Sequence, residues 1–136
     1  MNTTLRRDAD EIIHSSIQAV LPDKAVCRAL ENFQPGGGRV LLVAAGKAAW
    51  QMAKAAADCL GARIGAGVVV TKYGHAMGPI ADFTCIEAGH PVPDENSFRV
   101  AKAALALVED LGADDTVLFL LSGGGSALFE LPLIAP

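Results

Sequence analysis

The chain has 136 residues, which suits one domain able to bury a core. Hydrophobic residues make up 51% of it, aromatic residues 5%, and 14 are glycines; this composition excludes a disordered chain and favours helices packed closely on a sheet. Eleven basic and fifteen acidic side chains give a net charge of −4, and without a basic stripe we exclude a nucleic-acid binder and expect a small-molecule partner.

The sequence lacks the marks of secreted and membrane proteins. No apolar stretch follows the first arginines, so no secretory signal is predicted. The longest apolar runs, at 40–45 and 117–121, are far shorter than the ~18 residues of a membrane span. Cys27, Cys59 and Cys85 lie far apart, in neither a C-x-x-C pair nor a zinc spacing. We therefore predict a cytoplasmic protein with reduced cysteines. We also predict that it binds no membrane and that its own side chains form no metal site.

Two helices are predicted at the start of the chain. Apolar residues recur every three or four positions from 5 to 20, which indicates a helix with one apolar stripe that ends near Pro22. We expect this stripe to dock on the rest of the molecule. A shorter helix follows, with Val26 and Leu30 on its apolar face, and the Pro-Gly-Gly-Gly run at 35–38 ends it.

Strands and helices then alternate. The patterns predict strands at 40–44, 67–71, 83–86 and 116–121, and helices at 47–60 and 93–110. Parallel strands joined by right-handed crossovers make a Rossmann-like, three-layer α/β sheet the expected architecture. Because residues 131–136 are too few to complete a helix after the last strand, we predict a truncated segment in preference to a small natural domain.

The loop after the last predicted strand is the strongest candidate site, because ligands of open α/β sheets bind at the carboxyl ends of strands. We call it the glycine loop; it consists of Ser122, Gly123, Gly124, Gly125 and Ser126. Three glycines before a helix let backbone N–H groups converge on an anion, and the helix dipole adds to the attraction. The alternative is a tight turn that needs positive φ. We predict a phosphate or carboxylate cradle.

Lys47 follows the first predicted strand, and we place it in the first turn of the next helix. The positive end of the helix dipole disfavours a lysine there. We therefore expect a ligand phosphate to compensate the charge, with the ammonium stabilising negative charge during transfer. The alternative is a surface lysine without a function.

Polar residues also follow the second and third predicted strands. His75 and His90 could bind substrate, although loop histidines are commonly just solvated or hydrogen-bonded. Asp94 is predicted first as the N-cap of the next helix and second as a residue of the ligand-binding rim.

Two common nucleotide motifs are missing. Residues 46–47 are followed by Ala48 where a Walker A loop has Ser or Thr, which excludes an ordinary P-loop kinase. Residues 44–49 match a dinucleotide fingerprint only in part, and no acidic residue lies between Asp58 and Asp82 to bind a ribose. These departures weaken an NAD interpretation.

Four segments, taken in order, resemble motifs of the glycerate 2-kinases: Ala45-Gly46-Lys47-Ala48-Ala49 with Met52-Ala53, Val70-Thr71-Lys72-Tyr73-Gly74-His75, Glu87-Ala88-Gly89-His90-Pro91-Val92-Pro93-Asp94-Glu95-Asn96-Ser97 and Leu121-Ser122-Gly123-Gly124-Gly125-Ser126-Ala127-Leu128. The match covers nearly the whole chain, and four motifs in register are far more specific than one. The chain is therefore identified as similar to the N-terminal region of this family.

The resemblance implies ATP- and Mg²⁺-dependent phosphorylation of D-glycerate to 2-phosphoglycerate by a two-domain enzyme with its active site between the domains. Residues 1–136 then form the N-terminal segment of the α/β domain, without the remainder of the enzyme. By motif position, Lys47 contacts the transferring phosphoryl group, the glycine loop holds substrate or nucleotide phosphate, and His90 and Asp94 lie on the rim. Apolar surface left uncovered on such a segment favours a homo-oligomer.

Three functions remain open. The first is a glycerate kinase segment that is inactive by itself. The second is an NAD(P)H-dependent hydroxypyruvate reductase, a label that members of the family have carried in tartrate and glycerate degradation and that the incomplete fingerprint disfavours. The third is a stand-alone anion-binding module that does no chemistry.

Overall fold

The computed structural model describes residues 3–133. Its elements are α1 (Thr3–Val20), α2 (Pro22–Leu30), β1 (Val40–Ala45), α3 (Ala49–Leu60), a 3-10 turn (Gly61–Arg63), β2 (Ile64–Lys72), β3 (Thr84–Ala88), α4 (Glu95–Val108), β4 (Thr116–Leu121) and α5 (Gly125–Leu128). The predicted alternation of strands and helices is confirmed. Residues 134–136, part of the tail that suggested truncation, lie outside the described residues.

The four strands form one parallel sheet in the order β3-β2-β1-β4. β1 is buried along its whole length, as its continuous apolar run predicted. Its Val43 lies opposite Val68 of β2 and Phe119 of β4. With helices packed on both faces, the expected three-layer parallel α/β architecture is confirmed.

Successive residues of β1 face two separate cores. Leu42 and Ala44 belong to the core that β1 shares with α2 and α3. Val43 and Ala45 belong to the core beneath α4, because side chains alternate between the faces of a strand. Burial of one Val or Leu side chain contributes about 1.5–3 kcal/mol, so both faces of β1 hold the layers together.

The first helix is confirmed, but its predicted docking is wrong. None of the residues of α1 is buried, and its apolar stripe faces solvent, with Ile12 67% and Val20 80% exposed. Periodicity identifies the apolar face of a helix but does not specify what covers that face. Among residues 3–133, none of the helices has the length and apolarity needed to span a membrane.

Cys27 of α2 and Cys59 of α3 form a disulfide, so the prediction of reduced cysteines is wrong for this pair. Their Cα atoms are 5.9 Å apart although 32 positions separate them in the sequence. The packing of α2 on α3 brings them together, and spacing along the chain contains no sign of it. Cys85 is a free thiol, and burial raises its pKa.

Arg39 and Asp115 join the amino-terminal ends of β1 and β4. Asp115 Oδ1 accepts a hydrogen bond from the Arg39 backbone N–H at 2.6 Å, and Oδ2 accepts one from Arg39 Nη2 at 2.7 Å. The Gly112 N–H also donates to Oδ2, at 3.0 Å. The hydrogen bonds from the Arg39 guanidinium, Gly112 and the Arg39 backbone hold the pKa of Asp115 well below its ordinary value.

We expect Asp115→Asn to reduce the dependence of stability on acidic pH. A pKa that is depressed in the folded state stabilises the fold above the unfolded-state pKa of about 3.9, and this contribution is lost as the pH falls toward the folded-state pKa. Urea denaturation should therefore show a smaller loss of unfolding free energy between neutral pH and acid in Asp115→Asn than in the wild type. The exposed Asp82 gives the control, because Asp82→Asn should retain the wild-type loss. An unchanged loss in Asp115→Asn would contradict the prediction.

Candidate functional site

The loops after β1 and β4 meet at the carboxyl edge of the sheet. The chain builds β1, β2 and β3 outward in one direction and then returns to add β4 on the other side of β1. The crevice between β1 and β4 is thus the switch point at which ligands of such sheets bind. The Lys47 N–H donates to Gly123 O at 2.9 Å, and the Ser122 N–H donates to Ala45 O at 2.9 Å. Two predicted site segments are therefore tied together here.

Lys47 lies just before α3, so its predicted place within the first helical turn is wrong. Gly46 has a φ of +123° and turns the chain out of β1, and α3 begins only at Ala49. The Ala48 N–H donates to Ser122 Oγ at 3.0 Å, so a side chain of the glycine loop satisfies a donor at the start of α3. The Lys47 side chain is exposed, and no acidic side chain among residues 3–133 forms an ion pair with it.

The glycine loop has backbone donors that none of the described residues accepts from. The N–H groups of Gly123, Gly124, Gly125 and Ser126 donate to no acceptor within residues 3–133. Gly124 adopts a left-handed conformation with a φ of +87°, and alternation with such residues is how successive N–H groups form an anion nest. The Ser122 N–H and Oγ are engaged with β1 and α3, so the loop's donors without an acceptor are the four that follow, of which that of Gly125 belongs to a buried residue.

His90 and Lys47 meet at Gly124. A methyl group built on Gly124 would lie 2.8 Å from His90 Nε2 and 3.3 Å from Lys47 Cε. Its φ of +87° favours glycine, and an added side chain would also displace the ends of the His90 and Lys47 side chains. The three predicted site residues share one crevice, although they come from the loops after β1, β3 and β4.

Asp94 is the N-cap of α4, as predicted. Its Oδ1 accepts from the N–H groups of Asn96 and Ser97 at 3.0 and 3.2 Å, and Ser97 Oγ accepts from the Asp94 N–H at 3.2 Å, which completes a capping box. Its Oδ2 accepts from the Tyr73 hydroxyl at 2.8 Å. Burial raises the pKa of Asp94, but these hydrogen bonds outweigh it and hold the pKa below its ordinary value. Its contact with a ligand stays a prediction.

Sequence analysis did not identify the contacts that hold the backbone of Lys47: it gave His75 only as a possible substrate ligand and gave Thr71 and Glu87 no role of their own. The Thr71 hydroxyl donates to Lys47 O at 3.2 Å, and His75 Nδ1 lies 3.1 Å from the same oxygen. Glu87 Oε1 accepts from the N–H groups of His75 and Ala76 at 3.0 and 2.8 Å, and these backbone bonds, that of Ala76 foremost, lower the pKa of Glu87. A threonine at the end of an otherwise apolar strand was the available signal.

Two cavities differ in their relation to these residues. One of about 290 Å³ adjoins Lys47 and is lined also by Gln51, Gly74 and His75. Another, an apolar groove of about 470 Å³ between α4 and β4, does not reach the crevice. Within the part of the chain that the structure describes, no three His, Cys, Asp or Glu side chains are grouped as metal ligands.

We expect Gly46→Ala to destabilise the fold by about 2–6 kcal/mol, the sum of backbone strain and overpacking. The added Cβ would lie 2.5 Å from Ser122 O and 2.8 Å from Ser122 C, at a φ of +123°. Gly37→Ala is the matched control, because no atom lies within 4 Å of its added Cβ. Urea denaturation measures both variants; wild-type stability in Gly46→Ala would contradict the tight approach of the two loops.

Comparison with known proteins gives a consistent result. A D-glycerate 2-kinase from Thermotoga maritima is 59% identical over 130 residues, which are 96% of this chain and 31% of that protein. The crystal structure of glycerate kinase from Thermotoga maritima matches with a TM-score of 0.85 and 59% identity, again over 96% of this chain and 31% of that one. A relative from Agrobacterium vitis that carries a hydroxypyruvate reductase name is 48% identical over 96 residues, 70% of this chain and 22% of that protein.

The chain thus spans less than a third of the length of these relatives. The resemblance to the N-terminal region of the glycerate 2-kinases, drawn from the four motifs, is confirmed, and the hydroxypyruvate reductase name is found among the relatives as expected. Over residues 8–135 the chain matches the family described as "Domain of unknown function (DUF4147)", and it belongs to that family.

Proposed function

We propose that the protein containing this chain is a glycerate 2-kinase, which transfers a phosphoryl group from ATP to D-glycerate and forms 2-phosphoglycerate. Residues 1–136 form the N-terminal segment of its α/β domain, and the remainder of the enzyme supplies the second domain. The observation that carries the proposal lies at the β1–β4 crevice: Lys47, which forms no ion pair with a described acidic side chain, lies beside the glycine loop, whose N–H groups at 123–126 have no acceptor among residues 3–133. Relatives named glycerate 2-kinase support it.

Phosphoryl transfer depends on positioning and on neutralising charge more than on covalent participation by the protein. In this proposal the N–H groups of the glycine loop donate to phosphate oxygens. The Lys47 ammonium offsets the negative charge on the transferring group. His90 lies against Gly124 beside Lys47, within reach of the same ligand. Asp94 supports the loop that bears His90 and is the weaker candidate for ligand contact.

In the transfer, the glycerate 2-hydroxyl oxygen bonds to the γ-phosphorus, the bond from that phosphorus to the ADP oxygen breaks, and the hydroxyl proton passes to a base. We assign that base to no residue of this segment. The carboxylates near the crevice, Asp94 and Glu87, are already engaged by hydrogen bonds within the loops. In this proposal the remainder of the enzyme supplies the base.

ATP and Mg²⁺ are the cofactors of the proposed reaction. The residues of this segment suit the phosphates of ATP better than they suit the metal ion. The unused N–H groups of the glycine loop suit the phosphates of ATP. The described residues contain no group of three side chains that would serve Mg²⁺, which proteins bind through a few carboxylates and the substrate phosphates. We derive no step through the metal on this segment.

An assay of the full-length enzyme tests the proposal against a reductase. ADP formation that requires D-glycerate is the expected result, together with no oxidation of NADH in the presence of hydroxypyruvate. The reductase alternative has the name of the Agrobacterium vitis relative in its favour and the incomplete dinucleotide fingerprint against it. Oxidation of NADH without glycerate-dependent ADP formation would overturn the kinase proposal.

A cytoplasmic location stays a prediction, and one feature stands against it. The Cys27–Cys59 disulfide is of a kind that is uncommon in reducing compartments. Fractionation of cells that produce the enzyme tests the location: recovery with the cytoplasmic fraction is expected, and recovery with an extracellular or periplasmic fraction would contradict it.

We predict that the 136-residue chain self-associates through the outer side of β4. This strand lies at an edge of the sheet, with Phe119 49% and Leu121 62% exposed beside the apolar groove. Uncovered edges with apolar side chains pair readily with another chain. Analytical ultracentrifugation should therefore detect dimers or larger species that Phe119→Lys reduces. A monomer at all concentrations would contradict this prediction.

A further inference from the structure

Both polar backbone groups of Lys47 are held by other parts of the site. Its N–H donates to Gly123 O at 2.9 Å. Its carbonyl oxygen lies 3.2 Å from the Thr71 hydroxyl, which donates to it, and 3.1 Å from His75 Nδ1. The backbone of Lys47 is thereby held on one side by the end of β2 and the loop that follows it, and on the other side by the glycine loop.

The contact with Lys47 O determines the proton position on His75. A carbonyl oxygen accepts hydrogen bonds and cannot donate one, so Nδ1 must bear the hydrogen. In the neutral ring Nε2 then carries the lone pair. This tautomer is a directly measurable consequence of the contact.

His75 is itself held in place. Its backbone N–H lies within hydrogen-bond distance of Lys72 O and of Glu87 Oε1, both at 3.0 Å. Glu87 is anchored in turn, because the Asn96 side chain donates to its backbone carbonyl at 2.8 Å. A continuous set of hydrogen bonds thus runs from the start of α4 to the backbone of Lys47.

Burial alone does not explain this arrangement. Thr71 is 1% exposed, and a buried hydroxyl requires a partner wherever it lies. His75 is exposed and could bond to water, so its bond to Lys47 O is not imposed by a need to satisfy the ring. Two donors on one carbonyl restrict the backbone from which a long, flexible lysine side chain extends, which lowers the entropy lost when its ammonium is held at a ligand.

We propose that Thr71 and His75 are positioning residues that fix the backbone of Lys47 for phosphoryl transfer, acting through its carbonyl oxygen. The inference rests on the proposed function, since it concerns the lysine assigned there to the transferring phosphoryl group. His75 acts through Nδ1–H in this role.

Imidazole ¹⁵N NMR of the full-length enzyme tests the hydrogen bond from His75 to Lys47 O without any assay of activity. At a pH where the rings are neutral, we expect His75 to carry its hydrogen on Nδ1. His14, which is exposed on α1, is the internal reference for a solvated histidine. In Thr71→Val the His75 tautomer should persist, because the ring has its own bond to the carbonyl. An Nε2–H tautomer at His75 in the wild type would overturn the inference.

Kinetics of the full-length enzyme test the consequence for catalysis. We expect His75→Ala and Thr71→Val each to lower kcat about 10-fold, the size of one lost hydrogen bond, with smaller changes in KM. Thr71→Ser should restore most of the activity. His75→Asn should do so as well, because its Nδ2 can take the place of Nδ1. Rescue by His75→Gln and not by His75→Asn would assign the role to Nε2 and overturn positioning through the carbonyl.

Two control variants separate positioning from general damage to the fold. Thr84→Val repeats the threonine-to-valine change on an exposed residue at the opposite end of the sheet, and His14→Gln replaces an exposed histidine on α1. Both variants should retain wild-type kcat. Absence of kinase activity in the unaltered enzyme would overturn the proposed function and with it the catalytic part of this inference. An active enzyme whose His75 variants keep full kcat would overturn the inference alone.

Discussion

Replacing Lys47 by alanine is expected to lower the kcat of the full-length enzyme by about 10²–10³-fold, the usual effect of removing one group that stabilises charge in a transition state. KM for ATP and for glycerate should change less, because the lost interaction strengthens as charge develops on the transferring phosphoryl group. The fold should survive, since the Lys47 side chain is exposed and its backbone hydrogen bonds do not depend on it. Steady-state kinetics and thermal unfolding together measure both effects.

Lys54→Ala is the matched control for this experiment. Lys54 lies on α3 seven residues further along the chain, where its ammonium pairs with Asp58 at 2.6 Å on the surface. Exposed pairs of this kind contribute little to stability, so Lys54→Ala should retain both turnover and fold. A Lys47→Ala enzyme that loses thermal stability while its folded fraction turns over normally would make Lys47 a structural residue.

The 136-residue chain by itself is expected to show no measurable glycerate kinase activity. The loops at the carboxyl edge of its sheet offer donors and a lysine, and in the proposed function the remainder of the enzyme closes the crevice to water and binds the substrate carboxylate. An ATP–glycerate coupled assay measures this directly. Full turnover by the chain would contradict the proposal that the site is divided between this segment and the remainder of the enzyme.

The same chain should still bind phosphate weakly at the glycine loop, with a Kd on the order of millimolar. Amide NMR during a phosphate titration should shift the signals of Gly123, Gly124 and Gly125, whose N–H groups have no acceptor among residues 3–133. Gly37, which lies in the loop before β1, gives the reference signal and should not move. Unchanged signals from the glycine loop would show that it is a tight turn and not a phosphate-binding site. Lys47→Ala should weaken the binding further.

Local patterns were sufficient to predict the secondary-structure elements and to select candidate site residues, whose contact with a ligand stays a prediction. The continuous apolar run of β1 predicted a strand buried on both faces, because both faces of a parallel sheet are covered by helices. Asp94 was identified as an N-cap because capping depends on residues two or three positions away. The glycine loop was identified because a run of glycines after a strand has a restricted set of uses.

Contacts between segments far apart in the chain could not be predicted from local sequence patterns. The disulfide between Cys27 and Cys59 depends on how α2 packs on α3. The exposed stripe of α1 shows the converse case, in which an apolar pattern is present without a covering surface among the described residues. The spacing of apolar residues shows which face of one segment is apolar, whereas packing depends on the complementary shapes of two segments.

By itself the sequence determined the layers of this protein, the positions of its strands and the residue types available at its carboxyl edge, because each depends on patterns within about 20 neighbouring residues. Only the tertiary structure decided that β4 returns to the far side of β1 and brings Gly124 against His90 and Lys47. It likewise decided that Thr71 and His75 hold the Lys47 carbonyl. The physical reason is that strand order and loop contacts arise from the joint packing of segments far apart in the chain, where each contact depends on the register of all the others.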